Sequence, residues 1–359
     1  MFGILDLIYK YIYGSNDTPI INVLSNNSSL DNSILKKYGW KKGDAYSLTP
    51  KHIFNILKNL ENIQSVDLRT SCPDVYDQGH LGSCTANAIG FCYHYDEIKQ
   101  REVSAFIPSR LFIYYNERNI EGHVSEDSGA EIHDGIQVIH SLGVCSEIDW
   151  PYDINKFKDK PAPNCYDTAL THKTIDYRAI SQNLDQLKAA LIEGYPVVFG
   201  FNVYESFESD EVAKTGIMPI PKLNEKLLGG HAVALVGFDN IKSVFIVRNS
   251  WGSGWGDKGY FYMPYEFITN SNMASDFWTV TKTLDEDEID VSDKKITLEN
   301  HLKTKVIYDK ILANKKEMCD FTQNYNNKNN NDNNDCNDVS GNNLIVVSKR
   351  NRRIKLKNC

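Results

Sequence analysis

Three short runs late in the chain restrict its fold more than any other feature. AVALVGF (232–238), VFIVR (244–248) and GYFYM (259–263) are each five to seven residues long and rich in β-branched and aromatic side chains. Segments rich in Asn, Asp, Gly and Ser separate them. Runs this short and this closely spaced cannot become helices of ordinary length, and they predict an antiparallel meander.

The earlier part reads differently. From Thr85 onward, Ala88, Phe91, Cys92 and Tyr95 fall at i, i+3, i+4 and i+7, the apolar stripe of a helix that begins just after Ser83. The expected fold class is therefore α+β, helical early and β late.

Both regions carry polar residues where an apolar pattern would end. Cys84, in YDQGHLGSCTANA, stands at the start of the predicted helix, where unpaired amide N–H groups and the positive end of the helix dipole favour a thiolate. A nucleophile needs a base, and GGHAVALVGFD places His231 immediately before the first strand of the meander. Asn249 follows the second strand in FIVRNSWGSGWG. The midpoint of 231 and 249 falls at 240, inside the 239–243 turn, so a hairpin roughly symmetric about that turn makes His231 and Asn249 face each other as a cross-strand pair. An Asn oxygen can then fix one imidazole nitrogen and leave the other for Cys84. Gln78 is joined to Cys84 through Gly79 and Gly82, and its side-chain amide with the Cys84 backbone N–H supplies two donors for one developing oxyanion.

Composition removes the main competitors. The chain has 359 residues, 41% hydrophobic and 24% charged, with a formal net charge of -8. That suits one to three globular domains and excludes a peptide scaffold. Eight cysteines without a Cys-x-x-Cys pair make neither a disulfide framework nor a structural zinc site. GxxxxGK[ST], GxSxG and HExxH are absent, against P-loop, serine-hydrolase and zincin chemistry. The histidines His80, His94, His133 and His140 have no ligand spacing, so neither metal nor cofactor is expected.

Together these motifs resemble the papain-like (cathepsin-type) cysteine peptidases over most of residues 66 to 281. Val66-Asp-Leu-Arg69 resembles the mature start, QGHLGSC the nucleophile loop, and Ser128-Gly129-Ala130 the glycine-bearing wall of the substrate groove. GGHAVALVGFD and NSWGSGWGDKGYF resemble the His and Asn motifs. The Cys to His separation also falls in the roughly 130 to 150 residues typical of this family. The resemblance implies a helical left subdomain and a β-barrel-like right subdomain with the active site in the cleft between them. It implies Cys84 as nucleophile, His231 as its proton partner, Asn249 as orienter, Gln78 and the Cys84 N–H as the oxyanion hole, Trp251 as a shield for the Asn–His hydrogen bond, and Gly129 and Gly230 as groove walls. A thiol pKa of about 3 to 4, and so a thiolate–imidazolium pair at neutral pH, goes with such a site. Two departures stand out: Leu81 replaces the usual Cys three before the nucleophile, and Thr85 replaces the usual aromatic after it. QGxLGSCTANA, PSRLFIYYNER, WPYD, VVFGF and ASDFW resemble a bacterial and large-DNA-virus branch of the family.

Three domains follow as expectations. Residues 1–65 are a loosely ordered extension in the position of a prosegment that covers Cys84, and they include a YGW segment around Trp40. Residues 66–283 are the catalytic domain. Residues 284–359 hold an acidic cluster, a short helix around 296–318, an Asn-rich disordered tract and an end with six Lys/Arg and no acid. Asp6 within the apolar opening and the lack of a basic residue before it argue against a signal peptide, and no run is long enough to span a membrane. The expected partner is a protein or peptide substrate, with nucleic acid limited to weak contact by the basic tail, in an intracellular or virion-packaged enzyme. Cys145 and Cys165 flank the WPYD loop as thiols that an oxidising setting can bridge. Two other readings share these residues: a papain-fold binding protein without catalysis, and an isopeptidase or amide transferase using the same triad.

Overall fold

The computed structural model describes residues 38–56, 60–101 and 105–283. The apolar opening, the acidic cluster, the 296–318 segment, the Asn-rich tract and the basic end lie outside the described residues.

The N-terminal stretch supplies β1 (Trp40–Lys41), α1 (Ala45–Leu48), β2 (Lys51–His52) and β3 (Ser65–Asp67). The helical half follows with α2 (Cys84–Arg101), α3 (Arg110–Glu121), β4 (Ala130–Glu131), α4 (Ile132–Ser141) and α5 (Pro163–Ala169). The β half then runs through β5 (Thr174–Ile180), α6 (Leu184–Ile192), β6 (Val197–Tyr204), α7 (Asp210–Thr215), β7 (Leu227–Asp239), β8 (Val244–Arg248), β9 (Tyr260–Pro264), α8 (Tyr265–Thr269) and β10 (Ala274–Thr283).

The predicted helix begins at Cys84, and its stripe Ala88, Phe91, Cys92 and Tyr95 is buried. Ser109 caps α3 by accepting from the Phe112 N–H, and Gly122 ends it in the left-handed conformation (φ 79°) where a β-carbon would be strained. The three late runs form β7, β8 and β9, paired antiparallel in succession. They belong to an eight-stranded sheet ordered β2-β5-β10-β6-β7-β8-β9, with β3 alongside β7. Phe199, Phe201, Phe207, Phe238, Phe245 and Phe261 fill the core on the β side.

Two expectations need correction. The β7–β8 hairpin is not symmetric about residue 240: Asp239 pairs with Val244, and a bulge between Leu235 and Gly237 shifts the register toward the site, so that Ala234 pairs with Arg248. The offset starts at the turn, the extra β7 residue at the bulge recovers one position of it, and Asn249 emerges beyond the ladder instead of opposite His231. The described part of the N-terminal extension is ordered, not loose. Its β1 pairs parallel with β4, and its β2 pairs parallel with β5 at the sheet edge.

Arg248, at the end of β8, binds the two halves. Its buried guanidinium donates to the carbonyls of Pro73 and Asp74 and lies 4.3 Å from the Phe91 ring centroid on α2. Tyr76 and His94 are hydrogen-bonded through Tyr76 Oη and His94 Nδ1 at 2.8 Å. Among the described residues no helix is long and apolar enough to cross a membrane.

Burial, aided by the nearby Arg248 charge, pushes the His94 pKa from 6.5 down to about 4. Below pH 6.5 the unfolded chain therefore takes a proton that the folded chain refuses. Stability present above pH 6.5 is lost as pH falls toward 4, at up to about 1.4 kcal/mol per pH unit. His94→Gln, which keeps a partner for Tyr76, is expected to bring the urea midpoints at pH 7 and pH 5 closer together than in the parent chain. An unchanged separation contradicts this assignment.

Candidate active site

A short backbone crossing assembles the site. The Gln78 N–H donates to the Ser250 carbonyl at 2.9 Å, and the Gly252 N–H donates to the Tyr76 carbonyl at 3.0 Å, with Asp77 and Trp251 in an isolated antiparallel bridge. The loop before α2 thus lies against the segment after β8, and the Cys84 and Asn249 regions meet. Two further contacts hold the nucleophile loop. Asp127 accepts from the Gly82 N–H at 3.0 Å, and the Tyr152 hydroxyl of the WPYD loop donates to the Gln78 carbonyl at 3.0 Å and lies 2.5 Å from Ser83 Oγ.

His231 and Asn249 come together despite the shifted register. His231 Nε2 lies 2.8 Å from Asn249 Oδ1, and both residues are buried. The Asn oxygen is an acceptor, so Nε2 carries the hydrogen. The Trp251 indole stacks on the imidazole with a centroid separation of 4.9 Å and a 26° interplanar angle, and Phe201 closes another side at 5.7 Å. This apolar casing keeps water from competing for the hydrogen bond, which strengthens it.

Gln78 is also fixed. Its Oε1 accepts from Ser250 Oγ at 2.6 Å, and its Nε2 donates to the Leu81 carbonyl at 2.9 Å. The side-chain amide is thereby oriented with its nitrogen toward the nucleophile loop. Sequence reasoning missed Ser250, Asp127 and Tyr152. Their signals were present in NSWG, in the residues before Ser128-Gly129-Ala130 and in WPYD, but a hydrogen-bond partner across the fold has no local pattern.

Cys84 is fully buried, with the backbone of Ala232 and of Gly39 beside its thiol. Ala232 is the neighbour of His231, so the thiol lies near that imidazole. Gly39 belongs to the N-terminal stretch, which covers the site. A β-carbon on Gly39 would lie 1.7 Å from the Gly82 carbonyl oxygen, and one on Gly129 (φ +70°) would lie 2.1 Å from the Gly39 oxygen. Only glycines let these backbones pass so closely.

The flanking side chains anchor the cover. Tyr38 packs its ring edge-on to His231 at 6.3 Å and bonds to Glu208. Trp40 is buried against Gly200 and Gly230, whose missing side chains leave room for the indole, and its Nε1 donates to Asp276 Oδ2 at 3.2 Å. Asp276 Oδ1 accepts from Trp278 Nε1 at 2.5 Å, so two indoles fix that carboxyl. Burial lifts its pKa to about 6.

The expected low thiol pKa does not describe this covered site. Burial pushes the Cys84 thiol up to about 12, because a thiolate there would be cut off from water beneath Gly39. The sulfur is a neutral thiol in this state. Among the described residues no group of His, Cys, Asp and Glu is arranged to hold a metal ion. Cys145 and Cys165 are buried free thiols close enough to influence each other, and Cys165 Sγ lies 3.8 Å from the Asp149 carbonyl oxygen.

Comparisons with known proteins extend the geometry. A family model described as papain family cysteine protease matches residues 63–281. An uncharacterized peptidase C1-like protein of Acanthamoeba polyphaga mimivirus is 50% identical over 217 residues, which cover 58% of this chain and 70% of that protein. A viral cathepsin of Adoxophyes honmai nucleopolyhedrovirus is 27% identical over 271 residues, or 68% of this chain and 73% of that protein. Among solved structures, xylellain, a cysteine protease from Xylella fastidiosa, aligns with a TM-score of 0.62 at 41% identity, covering 71% of this chain and 99% of xylellain.

A buried neutral thiol is a poor nucleophile. At pH 7 the folded full chain is expected to take up a neutral alkylating reagent at Cys84 at least about tenfold more slowly than the chain unfolded in guanidinium, read from the mass of the Cys84 peptide. Equal rates contradict the covered site.

Proposed function

The chain belongs to the papain family of cysteine proteases, and on that premise we propose that it cleaves peptide bonds through Cys84, with His231 as proton partner, Asn249 as orienter and Gln78 in the oxyanion hole. One observation carries this assignment. The His231–Asn249 hydrogen bond of 2.8 Å lies one residue from Ala232, whose backbone is beside the Cys84 thiol, which supports reading the three side chains as one site.

The chemistry follows from the atoms. With Nε2 engaged by Asn249, His231 Nδ1 is the nitrogen that exchanges a proton with Cys84. Once the site is uncovered, the sulfur proton passes to Nδ1 and the thiolate attacks the peptide carbonyl carbon. The carbonyl oxygen gains the charge and takes hydrogen bonds from the Gln78 side chain and the Cys84 backbone N–H. Collapse of this intermediate breaks the C–N bond, and His231 gives its proton to the leaving amine. Water, deprotonated by His231, then hydrolyses the thioester and regenerates Cys84. Trp251 protects the Asn249 contact throughout, and Gly129 and Gly230 form the walls along which substrate backbone lies.

The domain boundaries enter the same proposal: residues 1–65 act as a prosegment, residues 66–283 as the catalytic unit and residues 284–359 as a C-terminal extension. What faces the sulfur supports inhibition over cleavage. The Gly39 backbone lies beside Cys84, and its carbonyl is taken up by the Ala130 N–H at 2.7 Å, so the segment occupies the groove as an inhibitor. The Trp40 pocket, floored by Asp276, suits substrate side chains that carry an N–H donor once the indole leaves. Leu81 in place of a disulfide cysteine and the mimivirus relative favour an enzyme that works inside a cell or is packaged in a virion.

Truncating a buried Trp removes on the order of 3 kcal/mol, roughly a hundredfold in an equilibrium. Trp40→Ala in the full chain is therefore expected to raise turnover of a fluorogenic peptide by up to that factor, while Cys84→Ala in the same background abolishes it. Unchanged turnover in Trp40→Ala contradicts the cover. Cys84-independent turnover contradicts the mechanism.

A further inference from the structure

One buried acid beside the nucleophile is not used by this mechanism. Glu117 on α3 and Thr85, the residue after Cys84, are both fully buried, and Thr85 Oγ1 donates to Glu117 Oε2 at 2.8 Å. Glu117 Oε1 has no hydrogen-bond partner among the described residues. It points at Gly135 of α4, where a β-carbon would lie 2.2 Å away, so a glycine is needed to make room for it.

Among the described residues no cation pairs directly with this carboxyl. On its own helix the neighbouring charges are Glu121 and Arg118, and α4 contributes Asp134. Arg118 directs its guanidinium to the carbonyls of Tyr114, Val124, Glu126 and Phe157. From α2, Thr85 offers one hydroxyl and Cys84 lies close enough for an ionised Glu117 to oppose its thiolate. A lone carboxylate with two acidic neighbours and a half-empty hydrogen-bond shell is too costly to keep ionised in such a place.

We propose that Glu117 is a positioning residue that works as a neutral carboxylic acid: through Thr85 it fixes the residue after the nucleophile, and by carrying no charge it leaves the Cys84 thiolate undisturbed. This rests on the reading of Cys84 as nucleophile. The burial that shapes the site lifts the Glu117 pKa well above the usual carboxylate range, in agreement with the geometry. The inference also accounts for a departure noted in the sequence. Where the family usually has an aromatic side chain, this chain has a Thr whose hydroxyl is tied to a buried acid.

The test uses the full chain carrying Trp40→Ala, with kcat normalised to sites titrated by an epoxysuccinyl probe, so that misfolded molecules are not counted. Thr85→Val, which exchanges a hydroxyl for a methyl, and Glu117→Leu are expected to lower kcat roughly ten- to hundredfold, with KM moving much less. Glu117→Gln, which keeps an oxygen at the same reach, recovers most of kcat. Its pH midpoint for Cys84 alkylation stays with that of the parent. The parent also shows a protonated-carboxyl stretch in the infrared at neutral pH that Glu117→Gln removes. A lower alkylation midpoint in Glu117→Gln means that the carboxyl was ionised and overturns the proposal, as does parental kcat in Thr85→Val. A folded parent that is never labelled at Cys84 overturns the underlying reading and this proposal with it, before any variant is compared.

Discussion

Two backbone hydrogen bonds, from Gln78 to Ser250 and from Gly252 to Tyr76, hold the rest of the site in place. They join a loop of the helical half to a segment of the sheet half, and Gln78, Cys84, Asn249 and Trp251 lie within six residues of them in the sequence. Gln78 takes its orientation from Ser250, Asn249 precedes that residue, and Trp251 follows it to stack on His231. Arg248 extends the seam by clamping the carbonyls of Pro73 and Asp74. A cleft built across such a seam brings groups from distant parts of the chain into hydrogen-bond range without a flexible loop between them. That is the preorganisation acyl transfer requires.

The inhibition proposed for the N-terminal stretch draws on the same seam. The N-terminal stretch leaves the geometry intact and changes its dielectric surroundings. Gly39 lies over the sulfur, Trp40 and Tyr38 fill the space on either side, and water is excluded from the one atom that must become charged. The carboxyl of Glu117, bonded to Thr85 next to Cys84, faces a similar problem, since it too is buried away from water.

Much of the site was legible in the sequence because its parts terminate regular patterns. Cys84 heads an apolar stripe, and His231 and Asn249 stand at the ends of β-rich runs, so period and punctuation alone placed them. The hairpin register was not legible. The bulge between Leu235 and Gly237 depends on how β7 twists between β6 and β8, and nothing in AVALVGF marks it. Residues 38–52 failed for a related reason. Two-residue strands and a four-residue helix have no periodicity of their own, and they order only because β4, β5 and the groove offer partners. Their one signal was the small–large alternation around Gly39 and Trp40, which matches Gly129, Gly200 and Gly230 on the facing surfaces.

The central claim is that residues 38–41 and substrate compete for one groove over Cys84. Amide hydrogen exchange of the full chain before and after covalent labelling by an epoxysuccinyl probe tests it most directly. The account predicts that the amides of Gly39, Trp40 and Lys41, protected in the untreated chain, exchange freely once Cys84 is labelled. Cys84 fully labelled with those amides still protected would contradict it.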